Sequence, residues 1–126
     1  MDPAAAFTNT LMTQVVARGW TRCLPAEAGC MLLIVATVSA IGLKGKEMWD
    51  HIEILWQQSK NYRPSLREQL AIVEVEHRFK KVYGVEYEKT VQGVVGLLVK
   101  LGLVIRYGAG EDEVLDIPDI LPCAKV

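Results

Sequence analysis

Sixteen consecutive residues without a charge, Ala28 to Leu43 (AGCMLLIVATVSAIGL), restrict this chain more than any other feature. A helix that is apolar all round has to be enclosed. The run is shorter than the roughly 20 residues that span a bilayer, and Gly29, Thr37, Ser39 and Gly42 interrupt it. It therefore reads as a helix buried among neighbours, not as a membrane span. The chain has 126 residues, which is room for one domain. Hydrophobic residues at 51% and charged residues at 23% exclude a disordered or collagen-like chain. A domain of this size buries only about two-thirds of its unfolded surface. Part of the apolar excess is thus expected on an exposed face that a partner covers.

Several function classes drop out early. A formal net charge of −1 lacks the global basic charge of a strong, unassisted nucleic-acid binder. Cys23, Cys30 and Cys123 are an odd number in no zinc spacing, and His51 and His77 lie far from them in sequence. We therefore expect no metal, no cofactor and no disulfide framework, which fits a reducing, cytoplasmic setting. The start, Met1-Asp2-Pro3-Ala4, has no basic leader segment. A P-loop, a nucleophile elbow, a His-Glu-x-x-His pair and a dinucleotide fingerprint are missing from the sequence. Glu74 and Glu76 lie two apart on a helix and face different ways, and Asp50 and Glu53 read as a solvated face. The expectation is a protein that is not an enzyme.

Periodicity gives the order of elements. Asp2-Pro3 is a helix start, with a capping carboxylate and then proline at the first helical position. Phe7, Leu11 and Val15 form its apolar stripe, and Gly19 ends it. The uncharged helix follows from about Ala26 to Ile41. A third helix places Met48, Trp49, Ile52, Leu55 and Trp56 at helical spacing, the tryptophans reading as core. Ser65-Leu66-Arg67-Glu68 is a capping box that opens a helix running to about Tyr83 and stopping at Gly84. That helix carries two apolar stripes. Leu66, Leu70 and Val73 make one, with His77 beside them; Ile72, Val75, Phe79 and Val82 make the other. Two stripes predict a helix packed between two neighbours.

The next helix is expected from about Glu86 to Leu101. Its inner face holds Tyr87, Val91, Val94, Val95, Leu98 and Leu101; its outer face holds Lys89, Gln92, Gly93, Gly96 and Lys100. Leu103 to Tyr107 and Glu113 to Ile117 read as two strands joined across Gly108-Ala109-Gly110. The phrase Leu98-Val99-Lys100-Leu101-Gly102-Leu103-Val104, at the passage from helix to hairpin, resembles the end of the recognition helix in the winged helix-turn-helix superfamily. The resemblance covers roughly Leu66 to Ile117. It implies a mainly α fold with a β-hairpin: a winged helix-turn-helix with additional N-terminal helices. Residues 1–64 are then a core extension and homodimer interface, residues 65–120 the winged-helix motif, and the two together one domain.

The resemblance also implies that the helix from Glu86 reads double-stranded DNA in the major groove. Lys89, Gln92 and Lys100 are the side chains to do so, since lysine reaches guanine or phosphate and glutamine pairs with adenine. Gly93 and Gly96 permit close approach of a backbone. Charge opposes this reading. From Gly84 to Ile117 the net charge is −3, with Glu111-Asp112-Glu113 at the wing tip, where like charge repels phosphate. Basic residues gather instead at Arg78, Lys80 and Lys81 on the preceding helix. The sequence therefore supports two expectations: a DNA-associated regulator, favoured narrowly by the resemblance, and a winged helix that binds a protein partner without DNA.

Overall fold

The computed structural model describes residues 3–84 and 86–119. Helix α1 (Pro3–Ala17) begins at the expected proline; its capping Asp2 lies outside the described residues. Leu11, Met12 and Val15 are buried, and Thr8 Oγ1 donates to the Gln58 carbonyl at 2.7 Å, tying α1 to the third helix. Gly19, at φ +71°, turns the chain into a single 3-10 turn, Trp20–Arg22, whose indole is buried. No helix among the described residues is long and apolar enough to cross a membrane.

Helix α2 (Ala26–Ile41) is the uncharged run, and it is enclosed as its composition demands. Ala28, Met31, Leu32, Ile34, Val35 and Val38 are without accessible surface. Helix α1, helix α3 (Gly45–Ser59) and helix α5 (Val91–Lys100) pack on it, and strand β2 (Val114–Asp116) crosses it. Much of the apolar surface of α1 and α2 is thus taken up inside the protomer, while Val16 and Ile41 stay exposed.

Helix α3 follows the amphipathic pattern. Met48, Ile52 and Trp56 are buried, while Asp50 takes Lys46 at 2.7 Å and Glu53 takes Gln57 at 2.8 Å on the outer side. The core draws on both segments of the chain, from Leu11 to Trp56 and from Val91 to Leu115. Every buried side-chain polar atom among the described residues has a hydrogen-bond partner.

Helix α4 (Leu66–Tyr83) is the outlier. Ser65 caps it, its hydroxyl accepting from the Glu68 amide at 3.3 Å. The reciprocal half of the capping box is not made: the Glu68 carboxylate accepts from the Tyr62 hydroxyl instead. Val75 and Phe79 are buried and Ile72 is half-buried, so one stripe is seated. Val82, expected in that stripe, is exposed, because the helix end runs past its support. The other stripe has no neighbour: Leu66 is 71% exposed, Leu70 64% and Val73 62%.

The expected helix-turn-helix pairing of this helix with the reader is not formed. Gly84 does end α4, at φ +78°. The chain then runs without helix over residues 86–90, and α4 packs chiefly on the Trp20–Arg22 turn. Phe79 lies tilted at 4.5 Å to Tyr83 and edge-on at 5.8 Å to Tyr87, a small aromatic cluster that Tyr87 joins to the main core.

Candidate functional site

Helix α5 is shorter than expected, Val91–Lys100 and not Glu86 to Leu101. Two features move its start. Thr90 is an N-cap whose hydroxyl accepts from the Gly93 amide at 3.0 Å. Tyr87 is pulled back to α2, where its hydroxyl donates to Glu27 at 3.1 Å. Burial, then the Glu27 carboxylate, raises the pKa of that phenol, so it stays a neutral donor. Glu86 and Lys89 reach other elements too: Lys80 meets Glu86 at 3.1 Å and Lys89 meets Glu27 at 3.9 Å.

The inner face of α5 is as expected, with Val91, Val94, Val95 and Leu98 buried. The outer face is divided. Gln92, Gly96 and Lys100 are exposed, and a side chain grafted onto Gly96 would meet nothing within 4 Å. Gly93 is not available to a partner. The chain crosses it at Glu88, so a Cβ there would lie 2.4 Å from the Glu88 carbonyl oxygen. The two glycines read alike in sequence, yet one serves an internal crossing and the other faces solvent.

Arg78, Lys80 and Lys81 are exposed on the last turns of α4. At about 100° per residue they do not share one face, and Lys80 is engaged by Glu86. They are not assembled with Gln92, Gly96 and Lys100 on a common helix face.

The hairpin follows at once. Gly102 reverses the chain, and β1 (Ile105–Tyr107) pairs antiparallel with β2, Arg106 opposite Leu115. Leu103, Val104 and Leu115 anchor it in the core. The hairpin tip, Gly110–Asp112, forms a 3-10 turn laid on the start of α3. Gly45 makes room for it. At φ +53°, its Cβ position lies 2.8 Å from the Glu111 backbone, and its amide donates to the Glu113 carbonyl at 2.8 Å.

The Glu113 side chain completes this lock. One carboxylate oxygen accepts from the Trp49 indole at 2.9 Å and the other from the Arg106 guanidinium, which also lies over the Trp49 ring at 5.3 Å. The Trp49 donor, and then Arg106, hold the Glu113 carboxyl below the usual range. Sequence reading missed this triad. Trp49 and Glu113 are 64 residues apart, and alternation shows which strand positions face inward but not which helix receives them.

Three clefts flank α4, the smallest of them beside Phe79 and Lys80. One of about 380 Å³ has Met12, Cys30, Trp56, Tyr62 and Ile72 in its walls; another, of about 340 Å³, lies between α1 and α4. Burial pushes the Cys30 thiol up to about 11, so it is a thiol and a poor nucleophile. Tyr62, raised to about 12 by burial and by Glu68, is likewise uncharged. Among the described residues no group of three metal-ligating side chains comes together. Cys23 departs from the expectation of reduced cysteines: it is disulfide-bonded.

These features define a mainly helical domain that closes with a two-stranded hairpin. A family model described as Family of unknown function (DUF6042) matches residues 10–125, and the chain belongs to that family. No curated protein and no solved structure matches it.

Proposed function

We propose that this protein is a winged-helix interaction module that binds a protein partner through the outer face of α5, and not a DNA reader. In this assignment α2, α3 and α5 are the three helices of the unit, the hairpin is its wing, and α4 is an insertion between the second and third helices. Packing of α2 on α3 and α5, with the hairpin returning to α2, supports it.

The observation that carries the choice of partner is the locked wing. A DNA-binding wing offers cations to phosphate. Here the single wing arginine, Arg106, is consumed by Glu113, and the tip presents Glu111 and Asp112. Beside it α5 offers only Gln92, bare Gly96 and Lys100, while Lys89 leans toward Glu27. A low ridge with a single lysine suits close contact with another protein surface better than a polyanion.

The test is a titration of a labelled random-sequence duplex at low salt, read by anisotropy. The module reading expects no saturable binding. Binding that steepens as salt falls and disappears in Lys89→Ala/Lys100→Ala would establish the DNA-associated reading in its place. Gly96→Arg should fold as the parent does, with a thermal unfolding midpoint a few degrees higher, because that position opens to solvent and arginine is the better helix former.

A further inference from the structure

The sequence of α4 asks for two neighbours and the fold supplies one. Ile72, Val75 and Phe79 settle on the protomer, while Leu66, Leu70 and Val73 face solvent in a row three turns long, with His77 exposed at its end. We propose that the missing neighbour is α4 of a second copy of this chain, lying antiparallel across it.

Residue spacing supplies the argument. Leu66, Leu70, Val73 and His77 advance by four, three and four residues, the seam of a two-stranded coiled coil. With a two-fold axis passing between residues 71 and 72, Leu70 meets Val73 of the second copy, and Leu66 meets His77. This makes four layers, each formed by a residue and its opposite.

The same axis decides the charges. Arg67 and Glu74 are both exposed and lie seven residues apart on one flank of the seam. Antiparallel pairing brings each beside the other's counterpart, so two symmetric Arg67–Glu74 ion pairs form. On the opposite flank Gln69 comes beside Glu76 of the second copy. A parallel pair would hold Arg67 and Glu74 one heptad apart and couple neither to the other. The face is thus complementary to itself in one direction only, as a two-fold interface requires.

Lys80, the next position along the seam, is engaged by Glu86 and closes the stripe at that end. Three turns make a contact at the small end of specific interfaces, so association is in the micromolar range. The proposal stands on α4 and is independent of the α5 face. The duplex titration can go either way without affecting it.

The experiment is analytical ultracentrifugation of the full chain from micromolar to millimolar concentration. A reversible monomer–dimer equilibrium is expected. Arg67→Glu and Glu74→Arg, taken singly, turn two attractions into repulsions and weaken the dimer roughly tenfold. Combined, they restore the pairs in reversed polarity, and affinity returns to within about threefold of the starting protein. Leu70→Lys abolishes association. All three positions project from an already exposed face, and unchanged circular dichroism checks that each variant is folded. A chain that stays monomeric at millimolar concentration overturns the proposal and leaves the stripe to a different partner. A dimer that ignores the single charge changes, or that the double change fails to rescue, also overturns it.

Discussion

Replacing Gly93 by alanine is expected to lower the unfolding midpoint by up to about 8 °C, and the same replacement at Gly96 to raise it by about 3–4 °C. The residues sit three apart on one helix, so intrinsic propensity favours alanine equally at both. What differs is what stands above them. At Gly93 the new carbon would fall 2.4 Å from the Glu88 carbonyl oxygen and 2.6 Å from the Glu88 Cβ. Both contacts are far inside van der Waals distance, and the carbonyl is backbone, so the crossing segment has to lift. Forced overpacking of this kind costs about 1–3 kcal/mol. Lifting residues 86–89 also strains the Tyr87–Glu27 and Lys80–Glu86 contacts. At Gly96 nothing lies within 4 Å, and the gain is the usual backbone entropy, about 1 kcal/mol. Thermal melts of the two variants beside the parent read both signs in one experiment. Equal shifts would mean that Glu88 does not cross the helix.

Glu113→Gln should destabilise the domain by about 1 kcal/mol near neutral pH, the worth of charge-assisted hydrogen bonds to a half-buried carboxylate. The amide keeps the size and can still accept from Trp49, but it gives Arg106 no opposite charge. The pH dependence follows from the direction of the shift. The folded carboxyl titrates below its unfolded value of about 4.3. Its stabilising effect is therefore complete above that value and is lost as pH falls through the lowered folded one. The stability gap between parent and variant should hold from neutral pH down to about 5, then close in stronger acid. Urea unfolding at a series of pH values measures it. A gap that widened toward acid would contradict the lock.

Much of the scaffold was legible because its cause is local. The uncharged run forces an enclosed helix whatever surrounds it. Ser65 and Gly84 bracket α4 through capping and a positive φ, which act within a few residues. The hairpin was visible in Leu103 to Ile117 through alternation and glycine. The misjudged features depend on distant parts of the chain. Glu86-Tyr87-Glu88-Lys89 has good helical propensity, but Glu27 holds Tyr87 from 60 residues away, and Thr90 caps the helix behind it. The acidic wing tip read as a surface turned toward a ligand. Its place against Gly45 and Trp49 depends on how the hairpin folds back on α3, which no local pattern records. Of the outward ridge, Gln92, Gly96 and Lys100 were correctly placed, whereas Gly93 was given to the wrong neighbour. The double stripe of α4 predicted a helix packed between two neighbours, and the fold supplies only one, because periodicity shows which positions are apolar but not what covers them.

One core surrounds α2, with α5 and the hairpin closing it and α4 seated outside by a single face. Amide hydrogen exchange in dilute solution, resolved by segment, tests this most directly. The account predicts that α2 and α5 exchange only through global unfolding, while α4 exchanges well before them through local opening. Protection of α4 equal to that of α2 would contradict it.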